Sequence, residues 1–323
     1  MTRIACIGEC MIEISGASPG VSYGAGHGPF GPCNLGYAGD TLNAAIYMAR
    51  TARLLGNDPL DIAYVTALGD DAYSDAMIAG WQRDGLHTGL VRRLPGELPG
   101  LYAIQTDKNG ERSFHYWRNN AAARKLMTNG GDAVLRDGLA HCDLVYLSGI
   151  SLAILPAADR DTLFGILQDV KSAGGRIGFD SNHRPRLWND AESARACYQK
   201  FATLCDNVLP TFDDEHILFG DPTPQDTARR WQDWGASEII VKNGGDATLY
   251  LDSSGATGTL TPPKVPHIVD TTSAGDSFNG SFLAARQSGH RIDDAIMIAQ
   301  KVAGRVITRH GALVDISDLD LVA

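Results

Sequence analysis

Val269-Asp-Thr-Thr-Ser-Ala-Gly-Asp-Ser-Phe-Asn-Gly280 is the stretch that decides the fold, and a helical pattern follows it to about Gly289. Its run of small residues, Ser273-Ala274-Gly275, allows successive backbone N–H groups to turn toward one point. The helix that begins there adds the positive end of its dipole. The stretch therefore predicts a turn and helix N-terminus that bind phosphate oxygens.

Asp276 falls in the first turn of the predicted helix, beside this anion site. A carboxylate there can accept a proton from a hydroxyl group while the neighbouring amides stabilise charge on a migrating phosphoryl group. The alternative is that Asp270 and Asp276 only cap turns and that Gly275 permits close packing. Small turn residues, an anion hole and a carboxylate within four positions favour the catalytic interpretation.

Outward from this stretch, short apolar runs alternate with amphipathic segments of helical length. The predicted strands are Ile4–Gly8, Ile62–Thr66, Leu144–Ser148, Ile177–Asp180, Asn207–Leu209 and Glu238–Val241. The predicted helices are Thr41–Leu55, Ala157–Ser172 and Thr223–Trp234, with an apolar stripe at helical spacing from Ile292 to Val306. Strands that are apolar on both faces predict an α/β fold with a parallel sheet covered by helices.

Two segments interrupt the alternation. Gly16–Gly36 is too rich in glycine and proline for a regular helix. Leu101–Thr106 and Arg112–Trp117 are β-rich and joined by Asp107-Lys-Asn-Gly110, which predicts a hairpin. Beside an active site such a hairpin is a natural lid, and the alternative is a surface hairpin without function. We expect one domain over residues 1–323, with a lid formed by about 11–37 and 90–120.

Composition narrows the class of protein. The chain has 323 residues, of which 44% are hydrophobic and 20% charged, and its formal net charge is -10. This charge disfavours nucleic acid or an anionic membrane as a partner, so phosphate must be bound by helix N-termini, single cations and a metal ion. The N-terminal segment has no pattern of a secretion signal, and six scattered cysteines are typical of reduced thiols. We expect a cytoplasmic protein.

Two motifs carry a resemblance to a known family. Asp270–Phe278 resembles the C-terminal motif of the ribokinase-like (PfkB) carbohydrate kinases, and Ala38–Arg50 resembles their N-terminal motif. The similarity extends through essentially the whole chain. It implies a doubly wound, mostly parallel sheet flanked by helices with a small β-strand lid, ATP and Mg²⁺ as co-reactants, and phosphoryl transfer to a primary hydroxyl.

Within the family, longer segments resemble the kinases of 2-keto-3-deoxygluconate. They are Leu98–Tyr102, Gly110–Asn119, Leu147–Leu155 and Asn182–Trp188. The resemblance implies that the acceptor is the 6-hydroxyl of this sugar acid. A kinase for fructose, ribose or an epimeric keto-deoxy acid stays open, as does a non-catalytic sugar-acid sensor. The sensor is disfavoured because it needs neither Asp276 nor an anion hole.

The resemblance also implies roles for individual residues. At the phosphate side, Asp276 matches the catalytic base, and the anion-hole backbone is matched by Ser273, Ala274 and Gly275. Contacts to the sugar hydroxyls are matched by Gly39, Asp40 and Asn43, and lid-side contacts to the acid sugar by Tyr102, Tyr116 and Arg118. Arg184 matches an arginine that reaches both substrate and phosphate, Asn182 is expected near the nucleotide, and a nucleotide-edge loop is matched by Lys242, Gly244 and Gly245. The alternative for that loop is an ordinary β-turn.

The sequence departs from the family pattern in two places. Ser273 replaces a glycine, which is tolerable if its backbone is unstrained, because only its N–H is required. Thr211-Phe-Asp-Asp214 replaces the family's Asn-x-x-Glu, so Asp214 is the expected Mg²⁺ contact, acting through water, with Asp213 and Glu215 as alternatives.

Two lesser features complete the predictions. Leu68-Gly-Asp-Asp71 precedes a predicted helix over Ala72–Asp84 and is expected to cap it. The hairpin strands should have exposed edges, which proteins usually cover or pair. We therefore expect a homodimer or a higher homo-oligomer.

Overall fold

A computed structural model of the chain describes residues 2–16, 32–56, 60–106 and 112–321. Among the predicted features, the hairpin turn at 107–110 and most of the glycine-rich segment 16–36 lie outside the described residues.

The described strands and helices alternate along most of the chain. The strands are β1 (Arg3–Ile7), β2 (Met11–Gly16), β3 (Cys33–Ala38), β4 (Asp61–Leu68), β5 (Val91–Arg93), β6 (Gly100–Thr106), β7 (Arg112–Trp117), β8 (Leu144–Ser148), β9 (Arg176–Asp180), β10 (Asn207–Val208), β11 (Glu238–Val241), β12 (Thr248–Leu251) and β13 (Thr257–Leu260). The α-helices are α1 (Asp40–Leu55), α2 (Ala72–Arg83), α3 (Gly131–Leu139), α4 (Gly149–Ile154), α5 (Ala157–Ser172), α6 (Ala191–Ala202), α7 (Phe212–Phe219), α8 (Pro224–Asp233), α9 (Ala274–Gln287) and α10 (Ile292–Val306).

A nine-stranded sheet organises the fold, in the order β13-β12-β11-β10-β9-β8-β1-β4-β5. The strands from β5 to β11 pair in parallel, and β12 and β13 extend the sheet antiparallel. Alternate residues of β1 enter two different hydrophobic cores: Ala5 and Ile7 join one, Ile4 and Cys6 the other. Both faces of the sheet are thus covered, and the predicted ribokinase-like α/β class is confirmed.

Most predicted elements are observed with shifts of one or two residues at their ends. Asp71 caps α2, because its carboxylate accepts hydrogen bonds from the Tyr73 and Ser74 amides at 2.9 and 3.1 Å. The antiparallel extension by β12 and β13 was not predicted, because four-residue strands carry too few positions for a clear period of two. No helix in the described ranges is long and apolar enough to cross a membrane.

A second, four-stranded sheet in the order β3-β2-β6-β7 forms the predicted lid. The two hairpin strands pair as expected, with Tyr102 opposite Tyr116 and Leu101 opposite Trp117. The lid's inner face packs on Ala312, from the segment that follows α10. Residues 91–93 differ from the prediction, since they form β5 at the edge of the large sheet and are not in the lid.

Helices α1 and α9 approach each other very closely. A Cβ atom at Gly280 in α9 would lie 2.1 Å from the backbone oxygen of Ala44 in α1, so only glycine fits there. Further along the same pair, the Thr51 and Ser281 hydroxyls are 2.8 Å apart. This contact brings the N-terminal ends of the two helices together, and the candidate site lies there.

Candidate active site

The turn that precedes α9 adopts the conformation needed for an anion hole, although with some strain. Ser273 is the N-cap residue and has φ 63° and ψ 12°, in the left-handed region. The condition under which a serine was considered tolerable, an unstrained backbone, is therefore not met, because this conformation costs an L-residue roughly 1–2 kcal/mol. The Ala274 N–H donates to the Thr271 carbonyl oxygen at 3.2 Å. The Gly275 and Asp276 amides, which have no intrahelical acceptor, are left to bind a ligand.

Asp276 is held by α1 across the helix contact. The Asn43 Nδ2 donates to the Asp276 Oδ2 at 2.8 Å, and the Asn43 Oδ1 accepts a longer bond of 3.5 Å from the Gly39 amide. Gly39 has to be glycine, because a Cβ there would lie 2.0 Å from the Glu9 carbonyl oxygen. The structure thus brings together three residues predicted from two distant motifs.

The electrostatic environment of Asp276 favours proton uptake. Burial, and then the negative charge of Asp40 and of Asp180, raise its pKa to about 7, while the Asn43 hydrogen bond and Lys242 oppose the increase. Below this pH the carboxyl group is mainly protonated and cannot act as a base. Above it the group is ionised yet retains a higher proton affinity than an exposed carboxylate, which suits general-base chemistry near neutral pH.

Asp270 has a structural role instead. Its two carboxylate oxygens accept hydrogen bonds from the Thr272 and Gly311 amides, each at 2.9 Å. The alternative interpretation, in which these acids only cap turns, is therefore correct for Asp270.

Asn182 faces the turn at Gly39 and Asp40, which the family resemblance assigns to contacts with sugar hydroxyls. Its Nδ2 donates to Asp40 Oδ2 at 2.8 Å, and its amide donates to Asp180 Oδ1 at 3.0 Å. Its φ of 32° is unusual for a residue other than glycine. Asn182 thus connects the end of β9 to the start of α1.

The residues expected near the phosphates lie in different surroundings: Arg184 is at the solvent side, whereas Lys242 is buried. The guanidinium of Arg184 lies on the solvent side and contacts Asp214, in the first turn of α7, at 3.3 Å. Burial raises the pKa of Asp214, while Arg184 counteracts part of that effect. Lys242 points into the protein interior, whereas Gly244 and Gly245 have open space around them and Gly244 has φ 55°.

The lid-side residues form their own cluster. Tyr102 is buried and donates its hydroxyl to Glu13, and the centre of its ring lies 5.8 Å from that of the tilted Tyr116 ring. The Arg118 guanidinium lies 5.6 Å from the Tyr116 ring centre and forms a buried ion pair with Glu9. This partner was not predicted. A glutamate that ends an apolar run, at Ile7-Gly8-Glu9, was the available signal.

Sequence reasoning also missed Asp180 and Asn279 as site residues. Asp180 was assigned only as the end of a strand, although an acid directly after a buried parallel strand is a common site position. Asn279 lies one helical turn after Asp276, and its Nδ2 donates to Asp180 Oδ2 at 2.6 Å. Its spacing from Asp276 on the same helix face was the signal.

Comparison with known proteins gives the family. The pfkB family carbohydrate kinase model matches residues 1–319. The chain belongs to the pfkB family of carbohydrate kinases. This pfkB kinase is 40% identical over 314 residues to the 2-dehydro-3-deoxygluconokinase of Dickeya dadantii (strain 3937), covering 97% of this chain and 96% of the relative. It is 39% identical over 316 residues to the 2-dehydro-3-deoxygluconokinase of Escherichia coli (strain K12), covering 97% of both.

A solved structure agrees with the fold. An E. coli protein assigned as a ribokinase II, solved with ATP and Mg²⁺, has a TM-score of 0.80 to this pfkB kinase at 24% identity. The superposition covers 97% of this chain and 94% of that one.

Kinases of the pfkB family use ATP with Mg²⁺, and the residues of the site fit both. The free amides at the start of α9 suit phosphate oxygens. Within the described ranges no group of three or more His, Cys, Asp or Glu side chains could hold a metal. Mg²⁺ here would therefore take most of its ligands from phosphates and water, as it commonly does, with Asp214 as a candidate contact.

Ser273 provides a test of the anion hole. Its hydroxyl is buried and has no hydrogen-bond partner in the described structure. We expect Ser273→Gly to relieve the left-handed conformation and raise the free energy of unfolding by about 1 kcal/mol. Both Ser273→Gly and Ser273→Ala should keep kcat within about tenfold, since neither removes the amide. Ser273→Pro, which lacks the N–H and cannot adopt a positive φ, should be far less active.

Steady-state kinetics and thermal unfolding of the three variants check this. A loss of kcat well beyond tenfold in Ser273→Ala, with normal folding, would show that the hydroxyl itself takes part.

Proposed function

We propose that this protein transfers the γ-phosphate of ATP to the 6-hydroxyl of 2-keto-3-deoxygluconate, also called 2-dehydro-3-deoxygluconate. The product is the 6-phosphate. The observation that carries the proposal is the Asn43–Asp276 hydrogen bond of 2.8 Å, which sets a carboxylate of raised pKa beside the free amides of α9. Relatives named 2-dehydro-3-deoxygluconokinase, about 40% identical over nearly the full chain, support the choice of sugar acid.

The chemistry follows from the site. Asp276 accepts the proton of the 6-hydroxyl while the oxygen forms a bond to the γ-phosphorus. The bond from that phosphorus to the β–γ bridging oxygen breaks, and ADP leaves with the electron pair. The Gly275 and Asp276 amides would stabilise charge on the transferring group. Mg²⁺ would neutralise charge on the phosphate oxygens.

The substrate carboxylate needs a cationic contact at the other end of the sugar. Arg118 and Arg184 are the candidates, and they differ in the structure. Arg118 is buried and already paired with Glu9. The Arg184 guanidinium is half-exposed, donates to the His183 carbonyl oxygen at 2.8 Å and contacts Asp214 at 3.3 Å. We propose that Arg118, with Tyr102 and Tyr116, binds the acid end from the lid. Gly39, Asp40 and Asn43 would hold the hydroxyl groups, and Arg184 would face both substrate and phosphate.

We propose that the nucleotide lies against Gly244 and Gly245, where the space is open, with its phosphates at Ser273–Gly275. Asn182 would act on the site indirectly, through its hydrogen bond to Asp40. Asp214 would contact Mg²⁺ through water.

A substrate panel tests the function directly. ADP release would be measured with 2-keto-3-deoxygluconate, its keto-deoxy epimer, fructose and ribose, together with ³¹P NMR of the products. We expect 2-keto-3-deoxygluconate to have the highest kcat/KM and to yield the 6-phosphate. Faster turnover of a neutral sugar would reject the proposed substrate, and no ADP release with any acceptor would favour a sensor.

Arg118→Ala tests how the carboxylate is bound. A charge-assisted hydrogen bond contributes about 1.5–3 kcal/mol, which corresponds to roughly ten- to a hundredfold in affinity. We therefore expect KM for 2-keto-3-deoxygluconate to rise by that factor while KM for fructose changes little. Because Arg118→Ala leaves Glu9 buried without its partner, the double variant Arg118→Ala/Glu9→Gln removes both charges and should show the same selectivity change.

The matched control is Arg93→Ala. Arg93 makes a surface contact of 2.7 Å with Asp75, and neither residue belongs to the proposed site. It should leave both KM values unchanged. Equal losses for the acid and the neutral sugar in the Arg118 variants would mean that Arg118 does not bind the carboxylate.

We further propose a homodimer built on the outer face of the lid. Ile12, Leu101 and Trp117 are cross-strand neighbours and share this face, opposite to Tyr102. Ile12 is buried and Leu101 partly buried against a hydrophobic core, whereas Trp117 is exposed. All three line a groove of about 550 Å³ with the exposed Leu98 and Tyr73, and Tyr116 and Arg118 also line it. In the described structure, the outer strands of the lid, β3 and β7, each have one partner only. The exposed side chains of Trp117, Leu98 and Tyr73, close to unpaired strand edges, fit a second copy of the same lid.

Light scattering tests the dimer. The wild-type protein should have twice the monomer mass at micromolar concentration, and Trp117→Glu should convert it to a monomer. Met297→Glu is the control, since Met297 is 50% exposed on α10 and Trp117 is 63% exposed on the lid. A monomeric wild-type protein would reject the dimer, and a dimer unaffected by Trp117→Glu would place its interface elsewhere.

Two further expectations belong to this proposal. We propose that residues 1–323 form one kinase domain, with β2, β3, β6 and β7 contributing to the lid. We also propose a cytoplasmic location, which suits six cysteines that are all free thiols.

A further inference from the structure

Lys242 is a buried cation directly beneath the candidate anion hole. It follows β11, and although its neighbours form the open glycine loop, its side chain turns inward and is only 7% exposed. The ammonium donates to Asp180 Oδ2 at 2.9 Å and to Asn279 Oδ1 at 3.0 Å. A buried lysine is retained as a charge only where it is paired and hydrogen-bonded, as it is here.

This ammonium connects the catalytic helix to the sheet. Asn279 lies on α9, one turn after Asp276, and its Nδ2 donates both to Asp180 and to the Tyr146 hydroxyl, at 2.6 and 3.0 Å. Asp180 ends β9, and Tyr146 is on β8. The α9 helix is thus fixed to β8, to β9 and to the residue that follows β11 through one polar network.

The same ammonium is close to the turn that would hold the phosphates. A Cβ atom at Gly275 would lie 3.6 Å from the Lys242 Nζ. Through Asp180 the network continues to Asn182 and from there to Asp40 at the start of α1. Lys242 is therefore linked to both sides of the site, directly to α9 and through Asp180 and Asn182 to α1, while it stays buried.

We propose that Lys242 is a positioning residue for phosphoryl transfer, whose buried ammonium anchors the start of α9 and sets the electrostatic potential at Asp276 and the anion hole. This role differs from direct binding of the nucleotide by the loop, and it rests on the proposed phosphoryl-transfer function.

The charges around the site explain why a cation is needed there. The groups that face Asp276 are Asp40 and Tyr47 from α1, Tyr146 from β8, Asp180 from β9, Arg184 from the loop after β9, and Lys242. Asp40 and Asp180 raise the pKa of Asp276, and Lys242 lowers it. Arg184 is partly exposed to solvent, so Lys242 is the less screened of the two cations.

Lys242→Met tests the proposal, because it keeps an unbranched side chain of similar length and removes the charge. The ¹³C resonance of the Asp276 carboxyl group, assigned by comparison with Asp276→Asn, would be followed with pH in the protein without sugar or nucleotide. We expect a wild-type midpoint near the pKa of about 7 and a more alkaline midpoint in Lys242→Met. In the kinase assay, kcat should fall at least about tenfold, with KM for the sugar acid little changed.

Lys171→Met is the matched control. It breaks another lysine–aspartate contact, to Asp206 at 2.6 Å, between α5 and the segment before β10. It should leave the Asp276 midpoint and kcat unchanged. If Lys242→Met does not fold, Lys242→Gln serves in its place, because its amide still donates to Asp180 without a charge.

An Asp276 midpoint at the wild-type pH in a folded Lys242 variant would overturn the proposal, as would kcat within twofold of wild type. The NMR titration uses no acceptor, so it is independent of the substrate. If the wild-type protein phosphorylates no sugar acid while the midpoint still shifts, the proposed function fails and the electrostatic role of Lys242 stands.

Discussion

The close contact between α1 and α9 at Gly280 is the constraint on which the site depends. Since no Cβ separates the helices there, the backbone of α9 lies against the Ala44 carbonyl, and the two N-terminal ends converge. The Asn43–Asp276 hydrogen bond is a direct consequence, and it joins residues 233 positions apart in the chain. Helix α1 begins at the turn of Gly39, on the proposed sugar side, and helix α9 begins at the anion-binding turn of Ser273.

This convergence has an energetic cost that the chemistry requires. The raised pKa of Asp276 means that the unfolded chain loses its proton more readily than the folded one. Stability contributed by the protonated group is therefore lost as pH rises from the unfolded value of about 4 through the folded value. Lys242 and the Asn43 amide limit this loss, and the left-handed Ser273 adds a smaller strain. Such conflicts between local preference and function are expected at active sites.

Local signals in the sequence predicted local structure well. The apolar runs of β1, β8 and β11 predicted the parallel sheet, and the small residues before Asp276 predicted the turn. Contacts between distant segments could not be predicted this way, because they depend on packing. Thus Glu9 as the partner of Arg118 was missed, and Lys242 was assigned to a loop by its glycine neighbours although its side chain is buried. The backbone angle at Ser273 also required the structure.

The most direct test of the account is the kinetics and binding of Asp276→Asn, which keeps the size and the hydrogen bond to Asn43 but removes the proton acceptor. We expect kcat with 2-keto-3-deoxygluconate to fall by about 10²–10⁴-fold or more, while calorimetry shows that the sugar acid still binds. Asp293→Asn, an exposed first-turn acid of α10, is the control and should behave as wild type. A folded Asp276→Asn protein that retained more than half of the wild-type kcat would contradict the assignment of Asp276 as the base.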